Sequence, residues 1–142
     1  MRPFARNILA LIIGLVVGGF VNMGIIMISG SIIPPPDGAI VTTMEGLQES
    51  LHLFQPRHFL MPFLAHALGT LFGAFITALI AAKDNMRWGM GVGAFFLIGG
   101  IANVIALPAP IWFNILDLAV AYLPMAWIGV KLIEQFKTGK SS

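Results

Sequence analysis

The chain has 142 residues, 58% of them hydrophobic and 10% charged, with a formal net charge of +2. A mean hydropathy of +0.91 exceeds what a soluble domain of this length can bury, so a soluble globular protein is excluded. The absence of cysteine excludes a disulfide framework, a thiolate nucleophile and a cysteine-based metal site.

Four apolar stretches each approach the ~20 residues that a bilayer core requires. The first, residues 7–31, follows the basic segment MRPFAR. Its apolar run is too long for the core of a signal peptide and lacks a small-residue cleavage site, so a retained helix is expected. Pro34-Pro35-Pro36 stops it, since three prolines cannot continue a helix. The segment 34–58 is the one outer loop with room for structure of its own. Thr42-x-x-Glu45 fits a capping box, and Met44, Leu47, Leu51 and Phe54 recur at helical spacing, opposite Glu45, Glu49 and His52. This predicts a short amphipathic loop helix, ended at Gln55-Pro56, lying on the outer membrane surface or over the bundle mouth. A solvated loop helix without a ligand is its plainer reading.

The second span covers about 59–82, the third 88–107 and the fourth 111–132. KDNMR joins the second to the third, and the PAP of Pro108 to Pro110 joins the third to the fourth. Joints this short make the last three spans antiparallel neighbours. The expected fold is all-α, a single membrane domain over 1–142. It is an integral membrane four-helix bundle with a short periplasmic loop helix.

Seven of the eight Lys and Arg residues fall on one side if four spans are crossed, and Arg57 alone falls on the other. The positive-inside rule then puts both termini in the cytoplasm of a multi-pass membrane protein. The same asymmetry accounts for the pI near 9.4 without a nucleic-acid partner. Trp88, Trp112 and Trp127 suit interfacial anchoring, and the dispersed methionines suit packing.

One residue resists that description. Asp117 stands inside the apolar run WFNILDLAV, where a carboxylate costs roughly 2.5–3.5 kcal/mol on insertion scales. Small residues mark the faces that approach other helices: Gly14 and Gly18 in the first span, Gly69 and Gly73 in the second, Gly93 and Gly100 in the third. Each of these faces also carries one strong polar group in the outer half of the membrane. They are Asn22, His66 and Asn103, joined from the fourth span by Asp117, with Asn114 one turn outward. At 1.5 Å per residue His66 lies ~10 Å and Asp117 ~9 Å below the outer ends of their helices. His66 is therefore the expected partner of Asp117, with asparagines as further donors. Two roles fit such a pair. It is interhelical glue, or it is the acid–base pair of an outward-open cavity for a small ligand, ion or proton.

A metal site is not expected. His52, His58 and Glu49 are the best candidates, but they lack a tight ligand motif, and His58 and His66 stand two turns apart. No cofactor motif or nucleophile elbow is present, and the glycines of GMGVG sit inside a helix rather than after a strand.

The stretches IIPPPDG, AHALGTLFGAFITALIAAK and GGIANVIALPAPIWFNILDLAVAYLPMAWIGVKL resemble a group of small bacterial membrane proteins with four predicted spans and uncharacterised function. The likeness is most specific in His66-Ala67-x-Gly69 and in Asn103 through Pro108, Pro110, Trp112, Phe113 and Asp117. It implies a bacterial inner membrane and transfers no catalytic residue. Three function classes follow. The first is a structural or binding protein, or an accessory subunit of a larger membrane complex. The second is a small oligomeric, proton-linked carrier using His66 and Asp117. The third is a membrane enzyme acting on a lipid or quinone, which the lack of catalytic motifs disfavours. The partners expected are the bilayer and a homo-oligomer or larger complex.

Overall fold

The computed structural model describes residues 1–140, and every element in them is helical. Helix α1 runs from Pro3 to Ile32. It starts before the apolar run because Pro3 in the first turn presets φ and has no N–H to leave unsatisfied. Helix α2 (Met44–Ser50) and two short 3₁₀ turns, Leu51–Leu53 and Pro56–Phe59, fill the loop. Three further long stretches follow: α3 (Leu60–Ile80), α4 (Asn85–Ala106), and α5 (Ile111–Val120) with α6 (Leu123–Gly139). Four stretches are long and apolar enough to cross a membrane, so the chain is a multi-pass membrane protein built as a four-helix bundle.

The fourth span departs from the single helix expected over 111–132. It breaks at Ala121 and Tyr122, whose φ is −113° and ψ −80°, and resumes with Pro124 in the first turn of α6. Pro124 has no N–H for the carbonyl of Val120 and its ring collides with that turn, so the chain turns aside rather than kinking. Beyond the apolar run α6 continues to Gly139, aided by a Lys131–Glu134 ion pair at 2.8 Å.

The loop helix is capped one residue later than the sequence pattern suggests. Thr43, not Thr42, is the N-cap, and its Oγ1 accepts from the Gly46 amide at 3.0 Å. Glu45 closes no box with Thr42; it stands in the first turn, where a carboxylate suits the helix dipole. Helix α2 covers the bundle mouth. Leu51 packs with Phe59 and Phe113, flanked by Leu47 and Phe54, and Gln48 Nε2 donates to the Ala106 carbonyl at 2.8 Å. Met44 is left out of that contact and exposed.

Helix α3 is the hub. It packs along α1 and against α4 and α6, while α1 and α4 touch only lightly. Its row Ala65, Gly69, Gly73, Thr77 and Ala81 is buried throughout. Around the half of α3 nearest the termini, Ala74, Ala78, Val92, Ala126 and Val130 are all 0% exposed. These side chains form a close-packed apolar core.

The last carbonyls of α3 are satisfied by residues far away in sequence. Arg6 Nε donates to Ile80 O at 2.7 Å and Lys137 Nζ to Ala78 O at 3.1 Å. Cations at a helix C-terminus also complement its dipole. Asn7, 2% exposed, donates to Lys83 O at 3.1 Å and accepts from Ala82 N at 2.7 Å. An Asn7→Leu variant leaves both backbone groups without a partner and is expected to lose about 1–3 kcal/mol, read from denaturant unfolding in detergent. An unchanged midpoint would mean that this clip frays in solution.

Candidate functional site

Helix α3 delivers His66, α5 delivers Asp117, and the break after α5 delivers Tyr122. In an unbroken helix, residues five apart point about 140° away from each other, so Tyr122 could not face Asp117. The break removes that obstacle. His66 Nδ1 lies 2.8 Å from Asp117 Oδ1 and 3.0 Å from Oδ2, and the Tyr122 hydroxyl donates to Oδ2 at 3.0 Å. The His66 and Tyr122 rings stack at 5.8 Å between centroids and 26° between planes. Asp117 is 4% exposed, so both its oxygens are engaged by protein donors in a site shielded from solvent.

Tyr122 is the member that sequence reasoning missed. The usable signal was that it is the only tyrosine in the chain, inside an apolar run, where a buried hydroxyl needs a partner. Gly100 makes room for it: a Cβ there would lie 2.6 Å from the Tyr122 hydroxyl oxygen and 2.7 Å from ring carbons.

A cavity of about 240 Å³ opens beside the triad between α1, α3 and α4. Gly18 and Gly69 line it with bare backbone, Phe96 and Tyr122 with rings, and Asn22, His66 and Asn103 with polar groups. Asn22 Oδ1 is buried and has no partner among the described residues. With Nδ1 turned to Asp117, Nε2 is the ring nitrogen that His66 leaves free. A second cavity of about 180 Å³ shares His66, Gly100 and Asn103 with the first and runs under α2 past Asp117 and Asn114. A third, about 340 Å³, shares Ile26, Leu47, Phe54 and Pro62 with the second. These three cavities form a chain within the half of the bundle nearest α2, and a separate recess of about 740 Å³ lies at the other end, between the starts of α1 and α4, lined by Arg2, Phe4, Asn7, Lys83, Arg87 and Trp88.

The asparagines do not serve Asp117 as the sequence suggested. Asn114 Nδ2 makes only a long bond, 3.4 Å, to Ala109 O. Asn103 and Asn22 line the first cavity instead. Tyr122 supplies the second donor because the helix break swings it into reach first.

The metal candidates are dispersed. His58 Nδ1 accepts from the Gln55 amide at 2.8 Å, closing a local capping box, while His52 and Glu49 are exposed. Among the described residues no three His, Cys, Asp or Glu side chains converge on one point.

The glycine rows meet backbone against backbone. A Cβ at Gly14 would lie 2.5 Å from Gly73 O, at Gly18 2.6 Å from Gly69 O, at Gly69 2.8 Å from Gly18 O and at Gly73 2.8 Å from Gly14 O. Gly93 faces Ala126 Cβ at 2.7 Å. Gly129, not singled out from sequence, lies against the Leu71 carbonyl and places α6 on α3. No family model, curated protein or solved structure matches this chain.

Proposed function

We propose that the protein is a membrane-embedded binding protein that holds a small ligand at His66. It would reside in a bacterial inner membrane with both termini in the cytoplasm. The observation that carries this reading is a His–Asp–Tyr triad, with Asp117 and Tyr122 buried and His66 half-buried beside an open cavity, one of its ring nitrogens unused. A pair serving only as interhelical glue would be packed over, because interiors close to near-crystalline density. Here a space of about 240 Å³ stays open beside it. No residue lines both this cavity and the recess at the other end of the bundle, which suits binding rather than a standing channel.

One observation favours a proton-linked carrier as a second reading. The break at Ala121 and Tyr122 sits at the site, as discontinuous helices do in transporters. That reading needs a second state in which the cavity connects to the recess at the other end.

Gly99 provides the test of binding. It lines the cavity, and a Cβ there would meet nothing within 4 Å, so Gly99→Phe plugs the cavity without disturbing the helices. Native mass spectrometry of protein extracted into polymer nanodiscs should find a bound molecule on the wild type. It should be lost from Gly99→Phe at an unchanged unfolding temperature. Identical spectra from the two proteins would remove the binding reading.

Orientation rests on charge. The N-terminus, the α3–α4 joint and the end of α6 share one end of the bundle, tied by the Arg6, Asn7 and Lys137 bonds, and seven of the eight basic residues lie there. Reporter fusions after Lys83 or at the C-terminus should behave as cytoplasmic, and fusions near Gly38 as exported. An exported C-terminus would invert the whole assignment.

A further inference from the structure

We infer that the ligand of this cavity is a lipid-soluble ring bearing a hydroxyl donor, a quinol or phenol head on an apolar tail, with its hydroxyl bonded to His66 Nε2. The inference rests on the binding reading above and adds the chemical class. It follows from hydrogen-bond polarity. A carboxylate only accepts, and Asp117 takes the Tyr122 hydroxyl on Oδ2 and the His66 Nδ1 edge on both oxygens. Nδ1 therefore carries a proton committed to Asp117, and in the neutral imidazole Nε2 then presents a lone pair to the cavity. Asn22 Oδ1, buried on the cavity wall and without a partner among the described residues, is a second acceptor. Both acceptors call for a donor on the occupant, and the amides of Asn22 and Asn103 on the same wall can donate to it in turn.

That polarity sorts the candidates. Fatty carboxylates, phosphodiesters and oxidised quinones carry acceptors only and would leave Nε2 unsatisfied. An ammonium or metal cation needs a free carboxylate, but both oxygens of Asp117 are taken and the residue is 4% exposed. A hydroxyl fits because it donates to Nε2 and can still accept from an asparagine amide. Shape points the same way. Gly18, Gly69 and Gly99 present backbone rather than side chain, and Phe96 and Tyr122 present rings, leaving a slot suited to a flat head group. The adjoining cavity is walled by Ile26, Val104, Leu107 and Phe113, a lining for an apolar tail. The way in lies between α1 and α4, which touch only lightly, past the open space at Gly99. Beside it Phe95 and Ile98 are exposed, so the mouth faces the apolar phase of the membrane.

The test uses the full chain in lipid nanodiscs with ¹⁵N-labelled histidine. Three probes share one decyl tail: a benzoquinol, its oxidised quinone and its dimethyl ether. A decylphenol serves as a fourth. The quinol should bind saturably and shift the His66 Nε2 resonance, about tenfold or more tighter than the quinone or the ether, which cannot donate. Gly99→Phe should abolish that shift while keeping the wild-type unfolding temperature. Binding of the phenol as tight as that of the quinol supports the class and shows that one hydroxyl suffices. Equal affinity for quinol, quinone and ether would overturn the inference and leave the binding reading standing. So would failure of all four probes on a protein that still releases another bound molecule in native mass spectrometry. Failure of all four on a protein that carries nothing would overturn both.

Discussion

Leucine at Gly73 is expected to lower the stability of the detergent-solubilised protein by about 3 kcal/mol, and leucine at Gly69 by a similar amount, the upper range for overpacking. The cause is backbone. A Cβ at Gly73 would meet Gly14 O at 2.8 Å, Val92 Cγ1 at 3.0 Å and Gly18 Cα at 3.4 Å. At Gly69 it would meet Gly18 O at 2.8 Å and Asn22 Cβ at 3.0 Å. Neither carbonyl can rotate away as a side chain would, so α1 must leave α3, and close packing is the main attraction between helices in lipid. Gly19 supplies the control. It adjoins Gly18 in the same helix, yet a Cβ there would meet nothing within 4 Å. Gly19→Leu should therefore be neutral or slightly stabilising, since leucine favours helix over glycine by up to ~1 kcal/mol. Unfolding by SDS titration, followed by circular dichroism, compares the three. Equal losses at Gly19 and Gly73 would show that the helices do not meet along this row.

The four spans were legible because twenty-odd apolar residues between prolines or charged joints leave the backbone no other way to satisfy itself in lipid. The partner of Asp117 was legible too, from depth and from the small-residue faces: His66 stands at a matching height on a facing helix that runs in the same direction. What escaped was everything that depended on a change of helical phase or on distant contacts. Hydropathy reads straight through Ala121 to Pro124, because proline is tolerated inside membrane helices. On the continuous helix thus assumed, Tyr122 points away from Asp117, and the donor role fell to asparagines. The Thr42–Glu45 pair satisfies a local rule that its neighbour Thr43 satisfies better, through Gly46. The clips from Arg6, Asn7 and Lys137 to the end of α3 span most of the chain, so no window could reveal them. Their charges were legible only as topology signals, and the same side chains also finish a helix.

Asp117→Ala and Asp117→Asn are expected to separate structure from ligand choice. Alanine removes the acceptor from both the Tyr122 hydroxyl and His66 Nδ1 in a site where Tyr122 is 3% exposed. The loss should be about 3 kcal/mol, as for breaking one side of a buried pair. The His66→Ala, Asp117→Ala double variant should lose about 1–3 kcal/mol less than the two single effects summed, the coupling of residues in contact. Strict additivity would mean that they do not touch in the membrane. Asparagine behaves differently. Its Oδ1 still accepts from Tyr122, and its amide donates to His66 Nδ1, which must then carry the lone pair. Every partner stays satisfied, so Asp117→Asn should unfold within about 1 kcal/mol of wild type. The imidazole proton now sits on Nε2, and the nitrogen facing the cavity has changed from acceptor to donor. The ligand preference should invert with it. Asp117→Asn is expected to bind the decyl quinone more tightly than the quinol, measured in the same nanodisc titration. A folded Asp117→Asn protein that still prefers the quinol would show that Asp117 does not set the polarity of His66.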